Sequence, residues 1–192
     1  MGTYLALGLP TKIKASAADL KKIKLTAAQA ADAIARDAVA INDNDVWELT
    51  ETDTLLTWSI RPEVLHAHAA DLLQSIGDLY YPESERKQKQ KNYDYSEAVK
   101  AIRECADGQA IIALSNGEDY THFQTDNYHS DYIYTGHFSD NFRIKYETTL
   151  FFMEGKVSAE GIGNYPNLLR NLCAAALPDN PLAKMLFFYI TD

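Results

Sequence analysis

For 39 residues between Arg103 and Arg143 the chain carries no lysine or arginine. Over the whole sequence acids outnumber bases and the net charge is −9. Binding to nucleic-acid backbones and to anionic bilayers is driven by Lys and Arg, so neither partner is expected. Cysteine is scarce too, with only Cys105 and Cys173. A disulfide framework is therefore excluded as the source of stability. At 192 residues the chain is long enough to bury a core without staples. Both cysteines fall in apolar surroundings within expected helices, which predicts buried free thiols and a reducing compartment. Long apolar runs are missing as well. The longest strongly apolar run, Met185 to Ile190, is far below the roughly 20 residues a membrane helix needs. The N-terminal Met-Gly-Thr-Tyr-Leu-Ala-Leu-Gly-Leu-Pro has no basic n-region, and Ala6 stands where a myristoylation signal wants Ser or Thr. A cytoplasmic location is expected. Gly-x-Ser-x-Gly, Walker, His-Glu-x-x-His and Cys-x-x-Cys motifs are all absent.

What is present reads as interspersed helices and strands. Leu5, Leu7 and Leu9 alternate in a strand that Pro10 should stop. Ser16 with Asp19 caps a short basic helix. Thr26 with Gln29 has capping-box spacing and opens an Ala-rich helix to about Ala40, ended by Asn42-Asp43-Asn44-Asp45. Val46 to Thr50 and Leu55 to Ile60 read as a hairpin around Thr52-Asp53. Pro62 opens a helix with Leu65, Ala69, Leu72, Leu73, Ile76 and Tyr80 on one stripe, and Pro82 ends it.

Residues 83–92 read as a charged surface loop or a helix extension. Ser96 caps a helix carrying Val99, Ile102 and Cys105, closed by Asp107-Gly108. Ala110 to Leu114 reads as a buried strand. Phe142 to Met153 alternates as a strand, with a turn at Glu154-Gly155 and a return over Lys156 to Glu160. A last helix follows Pro166, with Leu168, Leu169, Leu172, Cys173, Ala176 and Leu177 inward. Met185 to Ile190 closes the chain as a buried strand. The expected class is α+β: a single domain over residues 1–192, with a mixed or mainly antiparallel sheet and about four to five helices.

The cation-free stretch narrows to a functional candidate between Glu118 and Asp140. It gathers acids with Tyr120, Phe123, Tyr128, Tyr132, Tyr134 and Phe138. Tyrosine supplies rigid contact area, and acids steer and pair with a basic surface. Asp119, Tyr120, Asp126, Tyr128, Asp131 and Tyr134 are the candidate contacts to a protein partner with a basic surface. Burial of the aromatics in the sheet core, with the acids in solvated turns, is the competing structural account. His122, His129 and His137 lie in the same stretch, with six and seven residues between them. Those gaps do not match helical zinc spacings, and no metal, cofactor or catalytic residue is assigned. A small hydrolase or transferase using these histidines with nearby carboxylates is the alternative, and an oligomeric module with exposed aromatics is a third. His66 and His68, two apart on a helix, cannot chelate together, although His68 and Asp71 share a face. Gly161-x-Gly163 lacks the third glycine of a dinucleotide loop, where Pro166 stands, and reads as a loop before a helix.

Four segments resemble the small acidic immunity proteins that accompany bacterial polymorphic toxins. They are Tyr4-Leu5-Ala6-Leu7-Gly8, Asp45-Val46-Trp47-Glu48-Leu49, Glu154-Gly155-Lys156 and Pro181-Leu182-Ala183-Lys184. The resemblance implies inhibition of a cognate toxin by occlusion, without catalysis, and carries over no individual residue.

Overall fold

A computed structural model describes residues 4–37, 39–80, 95–115, 132–133, 143–156 and 165–191. The fold is α+β. The described strands are β1 (Tyr4–Ser16), β2 (Trp47–Glu51), β3 (Leu55–Ile60), β4 (Tyr132–Ile133), β5 (Arg143–Lys156) and β6 (Phe187–Thr191). The helices are α1 (Ala17–Lys22), α2 (Ala27–Asp37), α3 (Pro62–Tyr80), α4 (Tyr95–Arg103), α5 (Gly108–Ser115) and α6 (Tyr165–Ala176), with a 3-10 turn at Pro181–Lys184. Contacts divide the chain into two compact units. One comprises residues 1–9, 62–124 and 149–192, the other residues 10–61 and 125–148.

The second unit is built on antiparallel ladders. In β1 the side chains of Thr11, Ile13 and Ala15 are buried while Lys12, Lys14 and Ser16 are half-exposed, the period-2 pattern of a strand with one wet face. Lys12 to Ser16 pair with Ser59 to Leu55, and Trp47 to Glu51 pair with Ile60 to Leu56. The β2–β3 hairpin closes through Thr52: its N–H and hydroxyl both donate to the Leu55 carbonyl, and its hydroxyl accepts from the Leu55 N–H.

Caps set the helices here. The Ser16 hydroxyl accepts from the Asp19 N–H at 3.3 Å. Thr26 and Gln29 exchange bonds of 3.2 and 3.0 Å, the reciprocal capping box expected from their spacing. Helix α1 ends in a Schellman motif: Leu25 N–H reaches Leu20 O, Lys24 N–H reaches Lys21 O, and Lys24 takes φ 58° in the left-handed region usually left to glycine.

The first unit centres on α3. Leu65, Ala69, Leu72, Leu73 and Ile76 are buried along one stripe, as the 3.6-residue period requires. Helices α4, α5 and α6 and the 3-10 turn all contact it. Residues 4–8 of β1 pair antiparallel with β6, Tyr4 opposite Thr191.

Several expectations are corrected. Pro10 does not stop β1. It falls between the β6 ladder, which uses residues 4–8, and the β3 ladder, which uses 12–16, so neither ladder requires its missing N–H. Ala110 to Leu114 is helical, giving six α-helices among the described residues rather than four to five. A short apolar run does not distinguish strand from buried helix by period alone. Asp107 decides the matter: its carboxylate accepts from the Ala110 N–H at 2.8 Å, so Asp107-Gly108 starts a helix instead of ending one. Ser96 lies inside the first turn of α4, which begins at Tyr95. Glu154-Gly155 is not a turn, because β5 runs through it to Lys156, and the return strand expected beyond it lies outside the described residues. In α6 Cys173 is buried while Leu172 is 43% exposed and Ala176 is exposed as well. An apolar sector that wide exceeds what its contact with α3 covers.

Candidate functional site

The candidate contacts Asp119, Tyr120, Asp126, Tyr128, Asp131 and Tyr134, and the histidines His122, His129 and His137, lie outside the described residues. So do the charged loop at 83–92 and Gly161-x-Gly163. Within the acidic aromatic segment only β4 is described, with Tyr132 opposite Ile144.

Two surfaces that sequence reasoning passed over lie among the described residues. The first is an open groove of about 360 Å³ lined by Asp71, Gln74, Ser75 and Asp78 of α3 and by Ala176 and Leu177 at the end of α6. The polar face of α3 supplies the carboxylates because its opposite face is spent on the core. Asp71 Oδ1 accepts from Arg103 Nη2 at 2.9 Å, and Asp78 accepts from Gln74 Nε2 at 3.1 Å. Both partners of the Asp71–Arg103 pair are more than half exposed, which limits its worth to about 1 kcal/mol or less. Asp71 thus pairs with Arg103, not with His68. His68 serves through its backbone: its carbonyl accepts from Asn180 Nδ2 at 3.0 Å. His66 Nε2 lies 3.3 Å from the Cys105 carbonyl.

The second surface is the hairpin edge. Residues 37–60 form another stretch with no lysine or arginine, a signal in the sequence of the same kind as the first. Its acids Asp43, Asp45, Glu48, Glu51 and Asp53 are all exposed. Nearby, Leu49 is 44% exposed. Arg61 Nη1 stands 3.9 Å from Glu48 Oε2, and its Nε donates to the Asn44 carbonyl.

Nucleophilic sulfur chemistry is not favoured. Both cysteines are free. Burial pushes the Cys173 thiol from 9.0 up to about 11. Cys105, half-buried just past the end of α4, is raised by burial and then by the Asp107 carboxylate. Both therefore stay protonated at neutral pH, and the thiol is the unreactive form. Among the described residues no group of three or more His, Cys, Asp or Glu is placed to hold a metal ion. Among them, too, no helix is long and apolar enough to cross a membrane. No family model, curated protein or solved structure matches the chain.

Proposed function

We propose that the chain is a non-catalytic cytoplasmic binding protein of the immunity or inhibitor type, which neutralises a basic toxin or effector by covering it. The observation that supports this reading is the pair of cation-free stretches, 37–60 and 104–142. The first folds with its acids at Asp43, Asp45, Glu48, Glu51 and Asp53 on the surface, where carboxylates act as steering and pairing groups. The second adds tyrosines to its acids, and Asp119, Tyr120, Asp126, Tyr128, Asp131 and Tyr134 are the contacts assigned to the partner. In the other unit, Asp71 and Asp78 line a groove of their own on α3.

The test uses the product of the adjacent reading frame. Co-expression of the intact chain should restore growth that this product arrests. The double substitution Asp126→Lys, Asp131→Lys should abolish rescue while circular dichroism stays unchanged. Rescue that survives the charge reversal would remove these contacts from the reading, and failure of the wild-type chain to bind or rescue would end it.

A further inference from the structure

Strand β2 is terminal in the strand order β2-β3-β1-β5-β4. Its one paired side faces β3. The hydrogen-bond phase of that ladder fixes what the other side offers. The Arg61 N–H donates to Val46 O at 2.9 Å, and the Thr52 N–H donates to Leu55 O at 2.9 Å. Residues 46 and 52 thus belong to the hydrogen-bonded set, and in an antiparallel ladder that set alternates. Glu48 and Thr50 therefore turn their main-chain groups to β3, while Trp47, Leu49 and Glu51 turn theirs away. The Trp47 N–H is taken by Asp43 O at 2.8 Å. Among the described residues, Leu49 and Glu51 are left presenting N–H and C=O along the open edge.

The side chains sharpen this. Opposite residues in the register share a sheet face, so Leu49 and Glu51 lie on the same face as Trp58 and Leu56. Those two are buried, yet Leu49 and Glu51 are exposed. Among the described residues, then, the inner face is left uncovered at β2, with an apolar side chain on it. Edge strands invite pairing with another chain, and an inward charge such as Glu51 is one device that discourages a second copy. Two such edges brought together would oppose Asp43, Asp45, Glu48, Glu51 and Asp53 to themselves. The same carboxylates attract a strand of opposite charge: Glu48 stands on the outer face and Glu51 on the inner one, so an alternating basic strand meets a carboxylate on either side.

We propose that the open edge of β2 is a docking site for an extended, lysine- or arginine-bearing segment of a partner protein. The segment adds as a further strand beside Leu49 and Glu51. This deepens the reading of a basic protein partner, on which it rests, by specifying the partner's local conformation and the part of this chain that receives it. Main-chain bonds supply affinity in such strand addition, and side chains supply selectivity.

The probe is a fluorescein-labelled peptide of about ten residues alternating lysine and threonine, long enough to span β2, followed by anisotropy with the full chain. Saturable binding is expected, with a glutamate-threonine peptide not binding. The same basic peptide N-methylated at alternate residues should bind at least tenfold more weakly. Leu49→Pro, which removes an outward N–H while sparing the β3 ladder, should weaken binding by a similar factor. Glu51→Lys keeps the main chain intact and should also reduce it several-fold. Equal binding of the N-methylated peptide, or unchanged binding by both variants, would mean charge attraction elsewhere and would overturn the proposal. So would absence of saturable binding up to about 1 mM, an affinity near −4 kcal/mol. A dimer by light scattering that Leu49→Pro dissociates would assign the edge to a second copy instead. Because growth rescue with Asp126→Lys, Asp131→Lys is scored separately, loss of the β2 assignment leaves the neutralisation reading standing.

Discussion

Helix α3 and strand β2 differ in how far each is committed to its own unit. On α3 one stripe is buried, the His68 carbonyl is bound by Asn180, Asp71 is paired with Arg103, and the first residue, Pro62, is pressed against Gly108. On β2 only Trp47 is buried and the next four residues are exposed. A segment engaged on most sides transmits any substitution into stability. One engaged along a single ladder leaves its other surfaces to do something else. Binding is therefore sought on β2, and on the polar face that α3 retains, rather than among the buried residues of either unit.

Substitutions can break this contrast, beginning with the largest expected effect. Gly108 has no unusual φ, so it is there for space: a Cβ would overlap the Pro62 carbonyl, which is backbone and does not swing aside. Gly108→Ala gains up to about 1 kcal/mol of helix propensity, but overpacking against main chain costs about 3 kcal/mol. A net loss of roughly 2 kcal/mol or more is expected from denaturant unfolding. An unchanged midpoint would show that the starts of α3 and α5 are not locked together.

Asn180 comes next. It is 5% exposed, donates to His68 O and accepts from the Leu182 N–H at 3.0 Å. Asn180→Ala should cost about 1–3 kcal/mol through buried groups left unpaired. Asn180→Asp should cost more at neutral pH, since it sets a carboxylate against a carbonyl, and should recover as pH falls and that carboxyl protonates. The smallest effect belongs to β2. Leu49→Lys and Glu51→Gln should each change stability by about 0.5 kcal/mol or less, as surface changes do. A loss of several kcal/mol at either position would show that something in this chain already covers β2.

Much of α3 and β2 was legible for one physical reason: their determinants are local. The Thr26–Gln29 capping box, the apolar stripe of α3 and the alternation of β3 each involve residues within a turn or a strand of one another. Ala110 to Leu114 misled because its apolar run has no phase, and the side chain that fixes it, Asp107, had a second plausible role as a terminator. Asn180 was invisible, since its partner His68 is far away in sequence and nothing in Pro-Asp-Asn-Pro marks a clamp on another helix. The open edge of β2 depends on which strand is terminal, which is a property of sheet order and not of any residue. Even so, the cation-free run around it was there to be counted.

Two of the ladders that β1 makes, those with β3 and β6, have a consequence for the order of assembly. Its later half pairs with β3 after a short excursion of chain, Ser16 with Leu55. Its earlier half must wait for β6, Tyr4 for Thr191, and closing the longer loop costs more entropy. On a ribosome, then, residues 12–16 can zip to β3 before β6, the partner of residues 4–8, has emerged. Pro10, lying between them, is where the early seam stops and the late one begins.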